Sequence, residues 1–328
     1  MTDYYLGADL GGTKTHIMIS DQSGNVIGFG ESGTGNHEMV GYEGMCENLT
    51  SAAHQAFTSA GIKPVNISGS GFGVAGFDWP NQKKPVMGVI NTLDLGGRLE
   101  LVNDTVLGIL AGSLRGWGIA VVSGTGCNCW GWDKTRSRIG RVTGGGAVFG
   151  ENAGASELLF RATSILAKAW TTAGPPTTLT DVFCRRFGVA TPEALLQGLL
   201  CGEFKMHPSD ALLVFETAKK GDPVTIDLIR WVGRELGEMA CAVIRQLKFE
   251  DSDFDLVQIG SMFDGSPLIM EEMKLVILQS APHAHFIRLQ EHPVIGAVLL
   301  GMEAAHYCAG PDVRKLLTES SPIRRPFR

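Results

Sequence analysis

Long apolar runs, clustered basic residues and paired cysteines are all missing from this 328-residue sequence, and each absence removes a class of protein. No apolar stretch approaches the roughly 20 residues that a membrane-spanning helix needs. Met1-Thr2-Asp3-Tyr4-Tyr5 has neither a basic start nor a sustained apolar core, so it does not read as a secretory signal. The seven cysteines (Cys46, Cys127, Cys129, Cys184, Cys201, Cys241 and Cys308) are odd in number, scattered and without a CxxC pair. That argues against a disulfide scaffold or a zinc site and makes a reducing cytoplasm the expected location. The net charge is −6 and Lys and Arg are dispersed, so nucleic acid is not an expected partner. Any phosphate binding has to be local.

What remains is a chain rich enough in apolar residues, 44% against 19% charged, to bury substantial cores, and long enough to suggest two domains. Three short apolar runs, 4–9, 16–20 and 26–30, are separated by Gly11-Gly12-Thr13-Lys14 and by Asp21-Gln22-Ser23-Gly24-Asn25, the second a strong hairpin signal. Tyr42, Met45, Leu49, Ala52, Ala53, Ala56 and Phe57 recur at helical spacing and Gly61 ends the pattern. Strands follow at 71–75 and 99–103, and then a helix opened by Asp104, with Leu107, Leu110, Ala111 and Leu114 on one face. After Gly116 the pattern begins again, with strands at 118–122 and near 128–132 joined by Ser123-Gly124-Thr125-Gly126. A mostly helical stretch runs from about 155 to 247. It includes an amphipathic helix capped by Asp222-Pro223 that turns Ile226, Ile229, Val232, Leu236, Met239, Val243 and Leu247 inward. A strand at 256–259, the turn Gly260-Ser261 and two helices around a short strand at 286–289 complete the chain. Two β-rich openings suggest a distant duplication.

The chemistry lies in the turns. Asp9-Leu10-Gly11-Gly12-Thr13-Lys14-Thr15 follows a strand, as P-loops and Rossmann loops do, but His16-Ile17-Met18-Ile19 reads as a second strand rather than a helix. The glycines therefore sit at a hairpin tip, where backbone amides can approach phosphate oxygens with no Cβ in the way, Thr13 and Thr15 can add hydroxyls, and Lys14 can add charge. An ordinary Gly-Gly hairpin explains this motif equally well taken alone. Ser123-Gly124-Thr125-Gly126 repeats the chemistry at the matching place in the second half, and a facing pair would hold a polyphosphate between them. Gly260-Ser261 after a third strand suits a nucleoside lying against bare backbone. Asp9, at the end of the first strand, is the candidate for Mg²⁺, held through water because that ion prefers oxygen ligands and keeps much of its own hydration. An Asx turn is its structural alternative, and Asp104 on its own reads best as a helix N-cap.

These pieces, in this order, resemble the sugar kinase, Hsp70 and actin superfamily, and within it the N-acetylglucosamine kinases of the BadF/BadG/BcrA/BcrD group. The resemblance rests on Asp9 to Thr15, on Ser123-Gly124-Thr125-Gly126-Cys127-Asn128-Cys129 and on Gly260-Ser261-Met262, and spans most of the chain. It implies an α/β protein of two RNase H-like lobes, 1–115 and 116–308, with a tail at 309–328 and an active cleft that closes by lobe rotation. It also implies ATP, Mg²⁺, a small sugar partner and a homodimer. On this resemblance Asp104 is the general base, reversing the preference for a cap, because an aligned carboxylate can accept the proton of a sugar hydroxyl as the bond to phosphorus forms. Asn36, Asp104, Cys127, Asn128, Gly144, Gly145, Gly146 and Glu151 fall where the family contacts sugar, and Thr125 where it binds ATP phosphates. The implied reaction is phosphorylation of an amino sugar, N-acetylglucosamine at its 6-hydroxyl.

The chain departs from the pattern at one wall. Human-type relatives carry a tryptophan between glycines followed by Gly-Asp-Glu-Gly-Ser. Here Gly145 stands for the tryptophan, and Gly150-Glu151-Asn152-Ala153-Gly154-Ala155-Ser156 follows. Loss of an indole reshapes that wall, and Glu for Asp moves a carboxylate outward by one methylene. The alternatives are kinases for glucosamine, N-acetylmannosamine or a muramic acid, and the activator ATPases of 2-hydroxyacyl-CoA dehydratases, whose iron-sulfur cysteines do not match the spacing here. His37, His283 and His285 read as structural. Pro322-Ile323-Arg324-Arg325-Pro326-Phe327-Arg328 reads as a tail or as a strap returning to the first lobe.

Overall fold

Polar and glycine-rich breaks turn the first three apolar runs back on themselves as β1 (Tyr4–Leu10), β2 (Thr15–Asp21) and β3 (Val26–Ser32), an antiparallel meander. At the second turn Asp21 Oδ1 accepts from the amides of Ser23 and Asn25. A crossover helix, α1 (His37–Ala60), carries the chain to β4 (Ile67–Val74), which pairs parallel with β1. After α2 (Lys83–Ile90), β5 (Arg98–Asn103) pairs parallel with β4 and leads directly into α3 (Asp104–Gly112). The computed structural model describes residues 2–323.

The second half repeats the plan with β6 (Gly118–Ser123), β7 (Cys127–Trp132) and β8 (Ile139–Arg141) antiparallel, then β9 (Phe254–Ile259) and β10 (Ala284–Arg288) parallel. The strand orders are β3-β2-β1-β4-β5 and β10-β9-β6-β7-β8, so the first strand of each meander is the centre of its sheet. This is the expected α/β architecture of two RNase H-like lobes, and the equivalence of the two orders matches the duplication suggested by the turns. Between β8 and β9 lie α4 (Ala155–Trp170), α5 (Leu179–Phe187), α6 (Pro192–Leu200), α7 (Ala211–Lys219) and α8 (Pro223–Leu247). The chain ends with α9 (Met262–Gly265), α10 (Pro267–Ser280), α11 (Pro293–Ala304) and α12 (Pro311–Ser320).

Local rules hold at several ends. Gly61 closes α1 in the left-handed region, and Asp222 caps α8 by accepting from the Thr225 amide at 2.9 Å. Elsewhere the structure corrects the reading. Gly41, at φ 70° and ψ 174°, breaks the first turn of α1 from the rest. Leu114 lies beyond the end of α3 and is exposed, and the cap of α3 is Asn103, whose side chain accepts from the Thr105 amide.

Two helices cross between the sheets and set their spacing. α3 packs its Val106, Ile109 and Leu110 with Ala120, Val257 and Ile259 of the second sheet. α11 lies on the first: a Cβ on Gly7 would stand 2.3 Å from the Val298 amide nitrogen, and one on Gly71 2.3 Å from the Ala297 carbonyl. α11 is buried nearly all round, which explains its almost wholly apolar sequence. Each half of the chain therefore contributes a helix to the other half's sheet. α12 also returns to the first sheet, burying Leu317 with Tyr5 and Met18, and Val26 donates its amide to Ser320 Oγ at 3.0 Å. The last of the tail, residues 324–328, lies outside the described residues.

Candidate active site

Strand ends deliver the acids. β1 and β5 both run parallel to β4, so Asp9 near the end of β1 and Asp104 just past the end of β5 emerge at one edge of the first sheet. They interact electrostatically. Burial, reinforced by the Asp104 charge, pushes the Asp9 carboxyl up to about 8. Burial and then the charge of Asp78 push Asp104 up to about 7, against the Thr105 amide, which donates to Asp104 Oδ1 at 2.9 Å.

Asp78 was not singled out in the sequence. It is 7% exposed in the loop after β4, and accepts from Asn103 Nδ2 at 3.1 Å. Burial and the charge of Glu38 push it up to about 6, while Arg141, Asn128 and Trp130 pull in the other direction. Asp78 is thus the point where the halves meet. Asn128 and Trp130 project from the same face of β7, Arg141 is the β8 partner of Trp130, and a Cβ on Gly144 would stand 2.7 Å from Asp78 Oδ2. The Arg141 guanidinium lies between the rings of Trp79 and Trp130, 4.6 Å and 5.3 Å from their centroids. Asn36 joins from the first half: it caps α1 by accepting from the Glu38 amide at 2.8 Å, and a Cβ on Gly76 would stand 2.7 Å from its Oδ1.

The hairpins stand beside these acids. In the first, the Gly11 amide donates to the Lys14 carbonyl at 2.9 Å, Gly12 has open space where a side chain would be, and Thr13 is exposed. Two of its expected donors are turned away. Lys14 Nζ pairs with Glu31 at 2.6 Å, and Thr15 is fully buried beside Gly35 with its hydroxyl facing no partner among the described residues. The physical reason is register: Thr15 begins β2 on the side that also buries Ile17 and Ile19.

The second hairpin is supported from below. Gly124 and Thr125 carbonyls accept from the Ala155 and Ser156 amides at 2.9 and 3.0 Å, and Ser123 Oγ donates to the Ala153 carbonyl at 2.5 Å. Gly124 and Gly126 open onto empty space and Thr125 is exposed. The third turn is pressed against this hairpin. Gly260 has φ +103°, and a Cβ there would stand 2.3 Å from the Ser123 carbonyl oxygen, so only glycine fits. Ser261 follows it, leading into α9. Arg288, also absent from the sequence reading, donates to the Gln258 and Gly260 carbonyls and to Asp264 and so fixes that turn.

Other expected contacts are rearranged. Cys127 Sγ accepts from the Ala153 amide at 3.3 Å, toward α4, and burial pushes its thiol up to about 12. Glu151 is buried, with one oxygen accepting from the Thr143 amide and hydroxyl, both at 2.6 Å, and the other from the Gly146 amide at 3.1 Å. It organises the Gly144-Gly145-Gly146 turn. The wall at Gly145 is not left empty: a Cβ there would stand 1.9 Å from Phe149 Cδ2. His37 is buried and stacks on Tyr42 at 4.8 Å, a packing role. Among the described residues no three His, Cys, Asp or Glu side chains converge on a metal-sized site, and no helix is long and apolar enough to cross a membrane.

Two sheets of equivalent strand order, each with an open glycine hairpin after its central strand, and a group of acids at one edge of the first define a two-lobed α/β protein of RNase H-like fold. The chain belongs to the BadF/BadG/BcrA/BcrD ATPase family, which it matches over residues 6–301. It is 24% identical over 299 residues to an N-acetylmuramic acid/N-acetylglucosamine kinase of Clostridium acetobutylicum, covering 90% of this chain and 97% of that one. It is 23% identical over 321 residues to an N-acetyl-D-glucosamine kinase of Dictyostelium discoideum, covering 92% and 98%. Among solved structures, a Chromobacterium violaceum protein with a provisional N-acetylglucosamine kinase name is 24% identical and superposes with a TM-score of 0.67 over 91% of this chain and 98% of that one.

Proposed function

We propose that this chain transfers the terminal phosphoryl group of ATP to an amino sugar, N-acetylglucosamine at its 6-hydroxyl, with Asp104 as general base. The observation that carries the reading is the position and poise of Asp104. It opens a helix at the floor of the cleft, beside Asp9 and Asp78, with a carboxyl pushed up to about 7. A base near neutrality is ionised enough to act and basic enough to take a proton. The full-length likeness to kinases of N-acetylated amino sugars supports the choice of acceptor.

In this reading the ATP phosphates lie between the hairpins, held by backbone amides around Gly11-Gly12 and Gly124-Thr125-Gly126 and by the hydroxyls of Thr13 and Thr125, with adenosine at Gly260-Ser261. Asn36, Asn128 and Asp78 orient the sugar. Asp104 accepts the hydroxyl proton as that oxygen bonds to the γ-phosphorus, the bond from γ-phosphorus to the bridging oxygen breaks, and ADP leaves. The donor set fits Mg²⁺: the half-buried carboxylate of Asp9, beside an open hairpin, suits an ion that keeps most of its water, and when bound it would neutralise phosphate charge. The reading also carries lobes at 1–115 and 116–308 that close on the substrates and exclude water. By family likeness it carries a homodimer, and by its free cysteines and use of ATP a cytoplasmic location.

Sugar-dependent ADP release tests this, run across N-acetylglucosamine, glucosamine, N-acetylmannosamine, glucose and N-acetylmuramic acid. Asp104→Asn is expected to lower kcat by roughly 10²–10⁴-fold while ATP still binds. No sugar stimulating ADP release would sink the kinase reading, and an unchanged kcat in Asp104→Asn would remove the base.

A further inference from the structure

The turn between Thr143 and Glu151 is clamped at its neck and open at its tip. The neck is the Glu151 carboxylate, spread over Thr143 and Gly146, with the Glu151 amide donating back to the Gly146 carbonyl at 3.0 Å. Beyond it a short 3₁₀ turn, Gly146–Phe149, carries Phe149 outward with 65% of its surface exposed. Phe149 is the largest apolar side chain of this Gly-Ala-Val-Phe turn, and most of its surface is open to a ligand.

The ring is nevertheless seated. Its Cδ2–Cε2 edge rests on Gly145, where a Cβ would stand 1.9 Å from Cδ2 and 2.5 Å from Cε2, so any side chain at 145 would expel it. Gly144, one residue earlier, touches Asp78 of the other half, and Asp78 acts electrostatically on Asp104. The seat of the ring is thus one residue from the junction of the two halves, and on its other side a Cβ on Gly146 would stand 3.6 Å from Glu157 Oε1, which borders the base of the second hairpin through Gly154. A bare glycine, a fixed neck and an uncovered ring make a wall waiting for a flat apolar face.

We infer that Phe149 is an acceptor-binding residue whose ring packs against the C–H face of a pyranose. This rests on the sugar-kinase reading and narrows it. A ring with equatorial substituents turns its axial C–H bonds to its faces and its polar groups to its edge, so it offers an aromatic wall an unbroken apolar surface. The acceptor is therefore a pyranose with a face free of axial polar groups, which the N-acetylglucosamine of the proposed reaction offers. Its edge groups face Asn36, Asn128 and Asp78, and its face is covered by Phe149.

The test is steady-state kinetics with N-acetylglucosamine and Mg²⁺-ATP on the full chain and four variants. Phe149→Ala is expected to raise the acceptor KM by roughly tenfold or more, with the ATP KM within about twofold. Gly145→Ala, which displaces the ring and leaves it intact, is expected to move the acceptor KM the same way. Phe149→Trp keeps an aromatic wall and stays near the parent, and Val148→Ala, at the 87% exposed tip, leaves both constants unchanged. An unchanged acceptor KM in Phe149→Ala, or equal rises in both KM values, overturns the assignment while the kinase reading stands. A parent protein that turns over no sugar removes both.

Discussion

Glu38, Asp78, Asp104 and Asp9 form a line of acids in which each of the first three raises the proton affinity of the next, on top of the larger effect of burial. With Asp104 as the proposed base, activity needs it ionised, so kcat/KM is expected to fall as pH drops through about 7. Asp78→Asn deletes the charge that holds Asp104 up. Its acid limb is therefore expected at lower pH than the parent's, together with a raised acceptor KM from the lost contact to Asn103 and Gly144. A pH-rate profile from about pH 5 to about pH 9 measures both; an unmoved limb would mean that Asp78 does not tune the base. Asp9 and Asp104 were legible because each follows an apolar strand at a turn or helix start. Asp78 was not, since Phe77-Asp78-Trp79 has no periodicity and its meaning comes from Asn103 and Gly144, which are distant in sequence. Thr15 was readable in principle: the alternation with Ile17 and Ile19 puts it in the interior. Lys14 was not, because its partner Glu31 is set by the register of β2 on β3.

Elements hold the site by backbone approach, and Gly260 is where that is tightest. Gly260→Ala adds a Cβ 2.3 Å from the Ser123 carbonyl and demands a φ of +103° that alanine rarely adopts. The turn after β9 has to back away from the second hairpin. The ATP KM is expected to rise by roughly tenfold with the acceptor KM nearly constant, and the strain of about 1–3 kcal/mol to lower Tm by several degrees. Equal effects on the two substrates would count against adenosine lying at Gly260. Elements of this kind were largely legible. The first meander announced itself by its turns, α8 by its period and α1 by Gly61, while the second was read only as a hairpin because the three-residue β8 carries no apolar run. α2 escaped because eight residues, Lys83–Ile90, give too short a pattern. The exchange of α3 and α11 between sheets was invisible for another reason: an all-round apolar helix says that it is buried and not against what.

At the scale of the molecule, the same acids set activity against stability. Asp9 and Asp104 have folded values raised to about 8 and about 7, above those of an unfolded chain. The folded state therefore holds protons that the unfolded state has lost, and stability falls as pH rises toward those values. Asp78, Glu157 and Glu235, raised chiefly by burial, act in the same direction, and the remaining shifted groups act mostly outside the window from about pH 6.5 to about pH 8. The lowered carboxyls of Asp133, Asp210 and Asp222 contribute fully above the ordinary carboxylate range, and His16 and His37, lowered by burial, have made their contribution above 6.5. The raised thiols of Cys127 and Cys129 matter only above 9. Within the window the ligand-free protein is expected to lose Tm with rising pH, the opposite of its activity. In the proposed reading Mg²⁺-ATP binds the folded state and brings a cation to the Asp9 carboxylate, so it is expected to raise Tm and flatten the slope. Calorimetry at both pH limits, with and without Mg²⁺-ATP, decides the matter. A Tm that rises with pH in the free protein would mean that the cleft acids are already charge-compensated by groups of the chain itself, and the electrostatic case for a metal at Asp9 would go with it.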